Sequence, residues 1–272
     1  MKKIFTILCF ALMAVAANAQ KLQVMKDGKV MAEFYGKDGW EFVFDSDETP
    51  GTGNIIGGHE YVEIGGVKWA TMNIGATTVA GSYKTCYGDY FALGEASPRY
   101  YFIFRESATE AEVSSWKNEY PEGYRDTGKK GEEDAATVNW GSNWRTPTKE
   151  EFDALFRACG AVLYKFELPE PTEKITKGGM YYLREYQTVE PEYSGVEGVL
   201  FVDVSNPEKR LFFPNCGYLI GDEKNQRLGV SSYWTTTKAN GDQYYAPKIW
   251  AKPEAEYTMP YYWGCPIRPV VK

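Results

Sequence analysis

A single histidine, His59, stands in a chain of 272 residues that also carries 37 acidic side chains, five cysteines, 21 tyrosines and eight tryptophans. A Ser-His-Asp or Cys-His relay needs an imidazole beside its nucleophile, yet His59 lies in a Gly-rich stretch that reads as a linker, and no Gly-x-Ser-x-Gly elbow occurs. Zinc has no foothold either, because no Cys-x-x-Cys pair is present. Carboxylates are plentiful, and Glu95 and Asp134 invite attention as acids. Asp134, however, directly precedes Ala135-Ala136 as a helix N-cap does. The separation between two carboxyl groups, on which glycoside hydrolysis depends, is not written in a sequence. No catalytic residue, metal or cofactor is expected. A carboxylate-based hydrolase is kept as an alternative.

Aromatic side chains are the other resource. Tyr233, Trp234, Tyr244, Tyr245, Trp250, Tyr257, Tyr261, Tyr262 and Trp263 crowd the C-terminal part of the chain. Rings give contact area at small entropic cost and can stack on a sugar face or fill a protein groove. Tyr233, Trp234 and Trp250 read as core strand residues. Tyr244, Tyr245, Tyr257, Tyr261, Tyr262 and Trp263 are therefore the expected ligand face, its partner a glycan or a protein at a cell surface. A formal charge of −7 without a Lys/Arg cluster speaks against nucleic acid.

The elements that must position these rings can be read in part. Lys2 and Lys3, the apolar run from Ile4 to Ala17 and the small-residue site Ala17-Asn18-Ala19 form an expected signal peptide over 1–19. The product is then exported, to the periplasm, the outer surface or the medium. No later apolar run approaches the length of about 20 residues that crosses a bilayer. Residues 20–45 read as a small β unit with a hairpin at Asp27-Gly28 and a third strand at Trp40 to Phe44. Residues 46–60, rich in Gly, read as a linker. A second domain follows over 61–272.

In that domain Thr148 and Glu151 have the spacing of a capping box. Phe152, Leu155, Phe156 and Cys159 then form one apolar stripe, and Gly160 stands at the left-handed C′ position. Together they predict a helix of about three turns buried on one face. Strands are expected at Tyr61 to Ile64, from Val67 past Trp69, at Val196 to Val204, Arg210 to Pro214, Gly229 to Thr237 and Gln243 to Trp250. The last, Pro266 to Val271, is expected at an edge or a strand end because of its two prolines. The polar stretch 106–133 reads as a surface excursion, with Gly128-Lys129-Lys130-Gly131-Glu132-Glu133 as its solvated tip. Cys86, Cys159, Cys216 and Cys265 are either two disulfides of unassigned pairing or four buried thiols. Strands before and after a helix, joined by irregular loops, make α+β.

Several blocks carry a resemblance: Val67-Lys68-Trp69-Ala70-Thr71-Met72-Asn73-Ile74-Gly75-Ala76, Gly88 to Glu95, Asp134 to Gly141 with Trp144-Arg145-Thr146-Pro147-Thr148, Leu211 to Tyr218, Tyr233 to Thr237, and Gly264 to Val270. In this order they resemble the Fibrobacter succinogenes major paralogous domain, which is itself similar to C-type-lectin-like and formylglycine-generating-enzyme domains. The resemblance implies a twisted antiparallel sheet with the Pro147–Cys159 helix packed on it and first and last strands paired. Residues 21–45 resemble a short β module found before such domains in exported proteins of Bacteroidota-type bacteria. Trp69, Trp140, Trp144, Arg145, Thr148, Glu151 and Arg268 are then scaffold residues. The close cysteine pair of formylglycine-generating enzymes is missing, as is the Trp-Asn-Asp triplet of calcium-dependent lectins. The expected function is a non-catalytic exported binding module. A structural component of a bacterial surface assembly, joined by strand addition through residues 21–45, is the other alternative.

Overall fold

The computed structural model describes residues 21–26, 29–36, 40–43, 54–98, 124, 126–160, 174–184, 190–220, 231–249 and 254–272. The expected signal peptide, the Asp27-Gly28 turn, most of the expected linker and Trp250 lie outside them. The chain divides into two compact units, Met1–His59 and Glu60–Lys272.

In the first unit β1 (Lys21–Lys26), β2 (Lys29–Gly36) and β3 (Trp40–Val43) form an antiparallel sheet in that order, and β4 (Ile55–Ile56) follows. A register shift between Val24 and Met25 interrupts the first pairing, as a bulge does.

The second unit is mostly sheet with few helices, an arrangement that is α+β or mainly β. Strands β5 (His59–Ile64) and β6 (Val67–Ala70) make a hairpin across Gly65-Gly66. Next come the short helices α1 (Tyr83–Cys86) and α2 (Ala135–Trp140), strand β7 (Trp144–Arg145) and the longer helix α3 (Lys149–Ala158). Strand β16 (Val270–Val271) lies between β6 and β7, pairing Val270 with both Trp69 and Arg145. A second sheet has the order β10-β9-β8, from β8 (Gly179–Leu183), β9 (Gly198–Val202) and β10 (Arg210–Pro214). Every residue of its central strand β9 is buried, which accounts for the uninterrupted apolar run there. Strands β12 (Lys238–Asn240), β13 (Gln243–Tyr245) and β15 (Thr258–Pro260) form a third sheet with β13 in the middle, while β11 (Ser231–Ser232) pairs with β14 (Lys248–Ile249).

Helix α3 follows its letters. The Thr148 side chain accepts from the Glu151 amide and Glu151 reaches back to the Thr148 amide, a complete capping box. Phe152, Leu155, Phe156 and Cys159 are buried, and Gly160 has φ +75°. The stripe meets the sheets through rings: Trp69 to Phe152 at 4.9 Å between centroids, Phe152 to Phe213 at 6.0 Å and Phe156 to Phe201 at 5.8 Å. Ring burial of this kind contributes roughly 1.5–3 kcal/mol per side chain.

Both arginines of the resemblance blocks fix backbone, by different means. Arg145 forms a two-pronged pair with Glu151, 2.8 Å from its Nη1 to Oε2, and so ties β7 to the start of α3. Arg268 is fully buried, and among the described residues it pairs with no carboxylate. It donates to the Asn73 side-chain oxygen at 2.9 Å and to the carbonyls of Ala70, Thr71 and Phe212. Its guanidinium carbon lies 4.5 Å from the centroid of Phe213. Burial lowers the Arg268 pKa from its ordinary value.

The structure departs from the sequence reading at several points. Of the two places expected for the last strand's prolines, an edge or a strand end, the structure has the second: Pro266 and Pro269 stand before β16 and accept from the amides of Trp234 and Ala70, while β16 itself lies inside the sheet. Of the strand expected over Gly229 to Thr237, whose first two residues lie outside the described ones, Ser231–Ser232 are strand, and Tyr233-Trp234 continue as irregular core backbone. Ala246 and Pro247 split the strand expected from Gln243 into β13 and β14. His59 opens β5 and is not a linker residue. Cys86, Cys159, Cys216 and Cys265 are four buried free thiols.

Candidate functional site

The six rings of the expected ligand face do not share one surface. Along β13 successive side chains point to opposite faces, so Tyr244 and Tyr245 part company. Tyr244 lies opposite Met259 of β15 and Lys238 of β12. Tyr245 turns toward α3, where the Lys149 ammonium lies 5.4 Å from its ring centroid. Lys149 in turn pairs with Asp153 and Glu256 at 2.8 and 2.7 Å, which makes the Tyr245 side a clamp on the helix.

The rings that follow are held one by one. Lys248 places its ammonium 3.6 Å from the Tyr257 centroid and pairs with Glu254. Burial, then the neighbouring Tyr218 hydroxyl, pushes Tyr257 up to about 12. Trp263 stacks on Tyr218 at 5.7 Å with 5° between the planes. Tyr261 is buried and donates its hydroxyl to Asp126 at 2.7 Å. Tyr262 stands edge-on to Tyr261, 5.4 Å away. Tyr244, Tyr257, Tyr262 and Trp263 are half-buried, each with surface left for a partner. Tyr233 and Trp234 are fully buried, and the Trp234 indole donates to the Phe91 carbonyl at 2.7 Å.

Beside Tyr244 opens a cleft of about 290 Å³ whose walls include Leu93, Glu95, Lys130, Glu132, Glu133, Asp134, Lys238 and Ile267. Two glycines bring its sides together. Gly94 has φ +93°, and a Cβ there would come within 2.2 Å of the Gly131 carbonyl oxygen. The Glu133 amide donates to the Gly94 carbonyl at 3.0 Å, and the Glu133 carboxylate accepts from the Ala96 amide at 3.3 Å. Sequence reasoning missed this cleft. Gly128, Lys129, Glu132 and Glu133 are exposed as a solvated tip requires, but Lys130 and Gly131 between them are half-buried against Tyr244 and Gly94. The available signal was the pair of glycines, which allow two backbones to touch.

The acids and thiols are placed for structure. Asp134 caps α2 by accepting from the Ala136 amide, and it also accepts from the hydroxyls of Thr137 and Thr146 and from the Thr146 amide. Burial raises Cys86 to about 12, and it raises Cys159, Cys216 and Cys265 as well. A thiol held protonated in this way is a poor nucleophile. Trp140 packs edge-on against the buried Trp144 at 5.4 Å. Among the described residues no group of three or more His, Cys, Asp or Glu side chains is placed to hold a metal ion, and no helix is long and apolar enough to cross a membrane.

Comparison with protein families, with curated proteins and with solved structures finds no match for this chain.

Proposed function

We propose that residues 60–272 form a non-catalytic binding module of C-type-lectin-like construction, exported or displayed at a bacterial surface. The module engages a glycan or protein ligand through rings of its late strands and loops. The observation that carries this reading is the set of half-buried rings Tyr257, Tyr262 and Trp263, each braced by a cation or another ring yet still reaching the surface. Braced rings lose little freedom when a partner arrives, which favours binding. The lectin-like construction is supported by the pairing of β16 with β6 and by α3 packed against Trp69. The commitment of Asp134 to capping and the raised thiol pKa values favour binding over chemistry.

A glycan array combined with pull-down from outer-membrane extract tests the proposal. Binding should occur in at least one arm and should fall when Tyr257, Tyr262 and Trp263 are replaced by Ala together. Binding in neither arm, or binding that the triple variant retains in full, overturns it.

The surface-assembly reading draws on a separate observation. The sheet of the first unit ends on β1 at one side and β3 at the other, and a sheet edge can accept an added strand. Concentration-dependent oligomers that vanish when residues 20–58 are deleted would favour it over the binding module.

A further inference from the structure

Lys130 lies against the Tyr244 ring at the wall of the cleft. Its ammonium lies 5.8 Å from the Tyr244 ring centroid and donates to the Gly131 carbonyl at the cleft wall. An ammonium over a ring face is attracted by the ring quadrupole. The cleft is lined by four acidic residues, Glu95, Glu132, Glu133 and Asp134, and by two lysines, Lys130 and Lys238, with Asp134 and Glu133 also accepting from the Ala136 and Ala96 amides. A concave site with excess negative charge and an aromatic floor concentrates cations. Leu93 and Ile267 in the same walls offer apolar surface for the methylene stem of a long basic side chain.

We infer that this cleft receives the lysine side chain of a protein ligand, and that Lys130 is an internal stand-in which the incoming ammonium displaces. This rests on the binding-module reading and narrows it to a protein partner with a basic anchor. Lys130 competes for the site, so it weakens the affinity and rejects neutral side chains.

The test is a titration of the full chain, carrying labelled tyrosine, with Nα-acetyl-lysine amide while the Tyr244 ring signals are followed by NMR. Nα-acetyl-norleucine amide and N-acetylglucosamine serve as comparison probes. The lysine probe should shift Tyr244 saturably and lose the effect in Tyr244→Ala, and the norleucine probe should do nothing. Removing the competitor should tighten the lysine probe by about threefold, the scale of an exposed cation–π contact. Both Lys130→Ala and Lys130→Gln should do this, the second keeping the stem and a hydrogen-bond donor. A norleucine probe as effective as lysine, weaker lysine binding in both Lys130 variants, or a Tyr244 response to N-acetylglucosamine alone overturns the inference. If the array or the pull-down is positive while the lysine probe leaves Tyr244 unmoved, the cleft assignment fails and the binding module stands. Silence in all of them sinks both.

Discussion

Arg268 over Phe213 and Lys130 over Tyr244 join the same two kinds of group in two regions of one unit. Arg268 is enclosed, and four of its five N–H donors go to three backbone carbonyls and one amide oxygen. Lys130 is half-buried at the mouth of a cleft and leans on one carbonyl. In the first region water has been removed, so each hydrogen bond must be kept because nothing can replace it. In the second, water or a ligand can take the place of any partner. The chemistry of the contact is shared, and burial decides whether it is scaffold or exchangeable surface.

Removing the enclosed cation should produce the largest effect. Arg268→Met takes the donor from the buried carbonyls of Ala70 and Phe212 and from the half-buried one of Thr71, and a loss of roughly 3–5 kcal/mol in urea denaturation is expected. A loss below about 1 kcal/mol would mean that the contrast with Lys130 has been overdrawn.

High pH probes the same enclosed region. The unfolded chain releases the Cys86 proton near the ordinary 9.0, whereas the folded state holds it to about 12. Within that window the native protein binds more protons than the unfolded chain, so stability falls as pH rises. The contribution is complete below pH 9, and by pH 10.5 about 2 kcal/mol is lost from this thiol alone. Urea midpoints that stay level from pH 8 to pH 11 would contradict the burial of the thiols.

A smaller effect is expected at the helix entrance. Thr148→Ala removes the cap of α3 and half of the capping box, at a cost of about 1 kcal/mol. At the surface Tyr262→Ala should change thermal stability by less than about 0.5 kcal/mol. A cost as large as that of the cap would move Tyr262 from the exchangeable region to the scaffold.

Helix α3 was legible because its information is local: Thr148, Glu151, the Phe152 stripe and Gly160 lie within one short stretch. The strand at Arg210 to Pro214 was legible for the same reason. The interior placement of β16 was not, since its neighbours Trp69 and Arg145 lie far away in sequence and its prolines suit an edge as well as a strand end. The site was read by residue type and not by geometry. A concentration of rings near the C-terminus gives no sign that Tyr245 turns to the helix or that Tyr261 is buried against Asp126. The cleft depends on the contact of Gly94 with Gly131, across residues that carry no periodic pattern.

The position of β16 also bears on how the molecule is made. Trp69 and its interior neighbour Val270 are separated by roughly two hundred positions, a span that places this pairing among the slow, non-local steps of folding. During synthesis β5 and β6 emerge early and must wait, with one edge open, for nearly the whole remainder of the unit. A chain shortened by its last few residues would lose the strand that joins the early hairpin to β7.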